Sequence, residues 1–297
     1  MFRFLRKLGT GINGHVILVE NKSNFESVAM KKLPYDCHLS LREINIWKEV
    51  FSHANIVTIL DVHMGHNDYF VSMEPMCMCL TQFMKTNQMN NLYVEKIFHS
   101  ILTALSHCHE KNILHRDVKP DNILLNICEV KLCDFSLSCK KNECKSTDVV
   151  TLWYRCPELL FKVNDYDESI DIWSAVCVLY EMMTGRPPFM AEENTEISQL
   201  KSICEVLGVP SEAQDMGFVP KYDKDFFFKN FPPFMQNVFV FDYKNRPSAL
   251  HLLQFCSSHN VKFDLLMNHR ASLSESIPED WKEIFSSQNV LEYSHLL

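Results

Sequence analysis

The chain has 297 residues, 46% of them hydrophobic and 22% charged, with a formal net charge of −8. That profile excludes a disordered, collagen-like or coiled-coil chain, and the acidic balance argues against nucleic acid as a partner. The longest apolar stretch, residues 172–183, is broken by Ser174 and Glu181 and is too short to cross a bilayer, so no membrane association is expected.

Residues 1–9 alternate charged and apolar side chains, unlike a signal peptide. The chain has twelve cysteines but no Cys-x-x-Cys pair, and Cys77 and Cys79 are too close for a zinc knuckle. Reduced thiols in a cytoplasmic or nuclear compartment are the expectation.

In chain order, residues 2–7, 15–20 and 27–33 read as strands, and Gly9-Thr10-Gly11-Ile12-Asn13-Gly14-His15-Val16 lies across the first two. G-x-G-x-x-G alone is a weak signal, because dinucleotide folds share it. Here strand-like sequence follows Gly14, where a dinucleotide fingerprint would enter a helix. A hairpin lying over phosphates is therefore expected, with glycines where side chains would block close approach. Val28-Ala29-Met30-Lys31 follows on the third strand. Residues 39–51 read as a helix that carries Glu43 on the same face as Ile46, Trp47 and Val50. A carboxylate on an apolar face is costly without a partner, and Lys31 is the cation proposed for it.

Strands over 56–63 and 69–73, joined by a Gly-His-Asn-Asp turn, precede Pro75, which marks a hinge. Beyond it the pattern is mainly helical. Residues 92–111 have helical periodicity. Residues 169–184 are apolar nearly all round, as in a buried central helix. Residues 217–241 hold eight of the 21 phenylalanines and read as core.

His115-Arg116-Asp117-Val118-Lys119-Pro120-Asp121-Asn122 is the most specific segment. It offers a carboxylate to accept or orient a hydroxyl proton, a lysine two residues on to neutralise a transferring phosphoryl group, and an asparagine five residues on to bind a metal. Cys133-Asp134-Phe135-Ser136 supplies a second metal-binding carboxylate, and Cys156-Pro157-Glu158 fills an A-P-E slot.

With these motifs in this order, residues 2–256 resemble the eukaryotic protein kinase family. Val149-Val-Thr-Leu-Trp-Tyr-Arg-Cys-Pro-Glu158, Leu41-Arg-Glu-Ile-Asn-Ile-Trp-Lys-Glu49 and Leu200-Lys-Ser-Ile-Cys-Glu-Val-Leu-Gly-Val-Pro210 are similar to the cyclin-dependent branch. The resemblance implies an α+β, two-lobed fold. Residues 1–74 form a small antiparallel-sheet lobe with one key helix, 75–80 the hinge, and 81–256 a larger, mainly helical lobe. Residues 257–297 match nothing placed and are expected to cap the large lobe or serve as a docking tail. Implied too are ATP, Mg2+ and protein serine or threonine acceptors. Lys31, Glu43, Asp117, Lys119 and Thr151 would be catalytic, and Asn122 and Asp134 would hold metal. Residues 9–16 and Lys31 would hold the phosphates. Leu8, Val16, Ala29 and Leu124 would sandwich adenine, with Met73 as gatekeeper and Glu74 to Met76 as hinge. Asp171 would support the catalytic loop, Glu158 would pair with Arg246, and Arg155 would help select proline after the acceptor.

The chain also departs from the family. Ser136 replaces the glycine of Asp-Phe-Gly, which implies altered switching with catalysis retained. A pseudokinase scaffold is the alternative that this serine raises. Ile12 and Asn13 replace the usual inhibitory phosphosites. Only Leu-Ser-Leu-Arg42-Glu43 remains of the cyclin-contact motif, so a cyclin or cyclin-like activator is expected without the usual contact sequence. Ser146 or Thr147 lies near the activating phosphosite. Arg42 and Arg116 match two of three phosphate-gripping arginines, and Cys139, beside Lys140, takes the third place. An activating phosphate, or none, both fit. A mitogen-activated-type kinase would show Thr-x-Tyr in this segment, which has no tyrosine before Tyr154.

Overall fold

The computed structural model describes residues 2–259 except 12–13, 36, 88, 127–128, 144–145 and 148–149. The expected roles of Ile12 and Asn13 and of residues 260–297 therefore lie outside the described residues.

Strands β1 (Phe2–Gly11), β2 (Gly14–Asn21) and β3 (Ser27–Pro34) run antiparallel. They are followed by helix α1 (His38–Val50), β4 (Ile59–Met64) and β5 (Asp68–Met73). The sheet order is β1-β2-β3-β5-β4. The β1–β2 pairing runs through Gly9↔Val16 and Thr10↔His15 to Gly11↔Gly14. The glycine motif is thus the end of a hairpin, as its strand-like sequel predicts. A Cβ built on Gly9 meets no atom within 4 Å. The protein's own packing leaves that space open, which suits a loop reserved for a ligand beneath it.

Register places Lys31 between Val16 and Val71, and Ala29 between Leu18 and Met73. α1 buries Glu43, Ile44, Ile46, Trp47 and Val50. The expected strand over 56–63 begins only at Ile59. Ile56 instead bridges Leu132, and Val57 N donates to the Leu132 carbonyl at 3.0 Å. The chain between α1 and β4 is thereby stitched to the second half of the molecule.

After β5 come β6 (Met78–Cys79), which falls within the expected hinge, α2 (Leu80–Thr86) and α3 (Asn91–Glu110). The Asn90 side chain caps α3 by accepting from Tyr93 N at 2.8 Å. Short strands β7 (Ile113–Leu114), β8 (Ile123–Leu125), β9 (Val130–Leu132) and β10 (Cys139–Lys140) follow. β8 pairs with β6 and β9, and β10 pairs with β7.

The remaining helices are α4 (Pro157–Leu160), α5 (Ser169–Thr184), α6 (Glu196–Leu207), α7 (Lys224–Phe227), α8 (Phe234–Val238) and α9 (Ala249–His259). α5 is buried almost all round, as its composition predicts, and packs on α3, which α9 also contacts. The phenylalanine-rich stretch is core: Phe228, Phe234 and Phe239 are buried, and Phe239 meets Trp173 edge-on at 5.0 Å. Glu158 takes both terminal nitrogens of Arg246, at 2.6 and 2.8 Å, and the guanidinium lies over Trp173.

Nine described cysteines are free thiols. Cys139 departs from the expected reduced state and is disulfide-bonded. Such a bond depends on where folding brings two thiols, which no Cys-x-x-Cys spacing announces. Among the described residues, no helix is long and apolar enough to cross a membrane.

Candidate active site

The loop between β7 and β8 is held from below by Asp171 on α5. Its carboxylate accepts from His115 N at 2.9 Å, Arg116 N at 2.8 Å and His109 Nε2 at 3.0 Å. Burial opposes its charge, yet His109 and these donors hold its pKa below the usual carboxylate value. Arg116 adopts φ +65°, a conformation that needs such anchoring in a side chain of this size. His115 Nε2 faces the Cys133 carbonyl at 3.0 Å, so that nitrogen carries the proton, and Nδ1 accepts from Asp117 N at 3.3 Å.

Asp117, Lys119, Asn122 and Thr151 converge. Lys119 Nζ donates to Asp117 Oδ2 at 2.7 Å and to Thr151 Oγ1 at 3.0 Å. Thr151 Oγ1 donates to Asp117 Oδ1 at 3.0 Å, and Asn122 Nδ2 to Oδ2 at 2.9 Å. The amide nitrogen of Asn122 is thus committed and its oxygen is turned to other use.

Lys31 gathers the other half of the site. Its Nζ donates to Glu43 Oε1 at 2.6 Å and Asp134 Oδ1 at 2.8 Å. Burial opposes the lysine's charge, but the two carboxylates outweigh it and raise its pKa. For Glu43 burial prevails and raises its pKa, while for Asp134 Lys31 overcomes burial and lowers it. Asp134 keeps 30% of its side chain exposed and so faces the cleft. Among the described residues, no group of three or more His, Cys, Asp or Glu could hold a metal unaided. One carboxylate and one amide oxygen fit Mg2+, a hard cation that keeps waters and takes phosphate oxygens as further ligands.

Phe135 is buried between Trp47, stacked at 6.1 Å, and His115, edge-on at 5.0 Å. Asp134 has φ +65°, whereas Ser136 is not among the residues of positive φ. In this conformation nothing about position 136 demands glycine.

Leu8, Val16 and Leu124 are partly buried and Ala29, Met73 and Met76 buried, all in one apolar cluster. The Glu74 side chain turns away from this cleft. Its carboxylate takes Lys131 Nζ at 2.7 and 2.8 Å and Thr58 N at 2.6 Å, which leaves only its backbone to face a nucleotide. Gly9, Gly11, Gly14 and His15 lie on the hairpin, as does the backbone of Thr10.

Three residues were missed in the sequence. Val150 is buried with φ +66°, and its carbonyl accepts from Arg155 Nε at 3.2 Å and Nη2 at 2.9 Å. Arg155 also pairs with Glu196. A β-branched residue in the left-handed region carries no sequence signal. Lys131 looks like an ordinary strand lysine. Tyr166 sits in an unremarkable Asp-Tyr-Asp run, yet its hydroxyl reaches Arg116 Nη1 at 2.8 Å. Lys140, expected beside the phosphosite, instead pairs with Glu49 at 2.9 Å.

A family model described as protein kinase domain matches residues 2–256. The chain is 33% identical over 294 residues to mitogen-activated protein kinase 3 of Arabidopsis thaliana, covering 92% of this chain and 78% of the relative. It is 32% identical over 263 residues to mitogen-activated protein kinase 5 of Oryza sativa subsp. indica, covering 83% and 70%. With mitogen-activated protein kinase 6 of Arabidopsis thaliana it shares 34% identity over 242 residues, covering 76% and 60%.

Proposed function

The chain belongs to the protein kinase family as a serine/threonine kinase using ATP and Mg2+, and from that premise we propose that it is proline-directed and of the cyclin-dependent type. The observation that carries proline direction is Val150. Its carbonyl, turned by φ +66° onto Arg155, is not free to accept an N–H from the residue after the acceptor. An ordinary residue there leaves its N–H unpaired at a cost of about 1–3 kcal/mol, whereas proline has no N–H to lose. The mitogen-activated relatives share the kinase domain, but the segment from Ser136 to Tyr154 lacks the Thr-x-Tyr that defined that alternative, which favours the cyclin-dependent reading. The surface open to a cyclin-like activator is the outer face of α1, where Leu41 is 45% exposed.

In the proposed chemistry Asp117 orients the acceptor hydroxyl and takes its proton, while Lys119, fixed by Asp117 and Thr151, lies beside the phosphoryl group in transit. Lys31, steadied by Glu43, positions the nucleotide phosphates. Asp134 and Asn122 would hold Mg2+, which when bound would neutralise phosphate charge. Most of the rate comes from positioning and fixed charge. The scaffold alternative gains no support at Ser136, whose backbone is unstrained.

The test compares matched Ser-Pro and Ser-Ala peptides, with Asp117→Asn as the blank. A kcat/KM at least about tenfold higher for Ser-Pro is expected, with no turnover but retained ATP binding in the blank. Equal rates on the two peptides would sink proline direction, and undiminished turnover by the variant would sink the role of Asp117.

A further inference from the structure

The segment between Ser136 and Cys156 must be held in place for Thr151 to meet Asp117 and Lys119. A phosphate bound by cationic side chains is one means of holding it, but here Arg116 and Lys140 already have partners inside the protein. Arg116 Nε donates to the Leu137 carbonyl at 2.7 Å. Its Nη1 donates to the Tyr166 hydroxyl at 2.8 Å and to the Ser146 carbonyl at 3.4 Å. The Tyr166 hydroxyl in turn donates to the same Ser146 carbonyl at 2.7 Å. Arginine, phenol and carbonyl thus form a closed triangle that ties the catalytic loop, the segment and the approach to α5 together. Lys140 is paired with Glu49. Thr147 is buried and Ser146 is exposed. Arg42 donates to the Ser136 carbonyl at 3.4 Å, its Nε has no partner among the described residues, and burial and the neighbouring Arg116 charge lower its pKa against the pull of Glu143 and Glu43.

We propose that Tyr166 is a positioning residue whose hydroxyl, bridging Arg116 to the Ser146 carbonyl, holds the activation segment in its working arrangement without any phosphate on Ser146 or Thr147. The inference rests on the kinase reading above and names the regulation of that site. A charge-assisted pair of hydrogen bonds, closed inside the protein, does there what an added dianion would do from outside. Tyr166 is buried, so water does not compete for its hydroxyl.

The experiment uses the full chain, treated with a phosphatase and shown by intact mass to carry no phosphate. Wild-type protein in that state is expected to phosphorylate a Ser-Pro peptide. Tyr166→Phe, which removes one oxygen and keeps the ring packing, is expected to lose about tenfold or more in kcat/KM for the peptide. Its KM for ATP is expected to stay at the wild-type value, because the nucleotide cleft does not touch the triangle, and its melting temperature to fall by only a few degrees. That split separates positioning from a general loss of fold. Undiminished peptide turnover by the variant overturns the proposal. So does wild-type protein that works only once Ser146 or Thr147 is phosphorylated, an outcome that leaves the kinase reading standing. Absence of turnover in every phosphorylation state, with a cyclin added as well as without, overturns both.

Discussion

Lys31 carries its charge inside the protein because two carboxylates, 12 and 103 residues away in the chain, share it at 2.6 and 2.8 Å. Removing it strands Glu43, which is 1% exposed. Lys31→Met is therefore expected to abolish phosphoryl transfer and to destabilise the fold by about 3–5 kcal/mol near pH 8. Burial already raises the Glu43 pKa, and loss of the lysine raises it further, so the carboxyl takes up a proton as the pH falls. The stability deficit should shrink between pH 8 and pH 5. Denaturant titrations across that range check it, and a deficit independent of pH would show that Glu43 finds another partner. The Lys31–Glu43 pair was legible in the sequence, because a carboxylate at helical spacing from Ile46, Trp47 and Val50 had to be compensated. That Lys31 also holds Asp134 was not legible, since the contact exists only once the two lobes close. Val150 was hidden for a different reason: its role lies in a φ angle, and the identity of a valine does not report one.

Helices and strands were more legible than the joints between them. Alternation marked the strands and the 3.6-residue period marked α1 and α3, each of which buries one side against a common core, while an apolar run marked α5, which is buried almost all round. The strand expected over 56–63 starts late because Ile56 and Val57 pair with β9, a choice made by a partner far along the chain. The same joint carries a pH dependence. His53, just after α1, stacks on His107 in the last turn of α3 with ring centroids 4.6 Å apart. Burial first, and then the charge of His107 on His53 and of Lys111 on His107, lowers both pKa values, with Glu110 pulling the opposite way. A histidine pKa lower in the folded than in the unfolded state means that the unfolded chain binds more protons. This contribution to stability is therefore complete above the ordinary histidine pKa of about 6.5 and is lost as the pH falls below it. His107→Phe should flatten the decline in melting temperature between pH 7 and pH 5. An unchanged slope would assign that decline to other groups, among which His99, on the same helix and also lowered by burial, is the next to test.

At the scale of the whole molecule, the lobes are joined by more than the hinge. Val57 and Leu132 pair their backbones, Lys31 reaches Asp134, and Glu74 binds Lys131 with both carboxylate oxygens while taking Thr58 N. The last contact fixes the hinge itself. Glu74 immediately follows Met73 at the end of β5, and Lys131 lies on β9, two residues before the strand gives way to Cys133 and Asp134. The pair thus ties the end of β5 to the strand that leads into Asp134. Nothing in a Val-Lys-Leu strand points to a glutamate 57 residues earlier, so the clamp is a product of packing. Lys131→Met keeps the length and apolar stem of the side chain and removes its charge. Glu74 is half-buried, and with Lys131 gone it can turn to water, so the loss should stay near 1 kcal/mol. If that energy holds the cleft at its working width, KM for ATP rises roughly fivefold while kcat at saturating ATP holds, since Asp117, Lys119 and Thr151 belong to the other side of the cleft. A variant with unchanged KM would move the control of closure to the Lys31–Asp134 contact alone. A fall in kcat instead would mean that the width of the cleft also sets the alignment of Asp134 against Asp117.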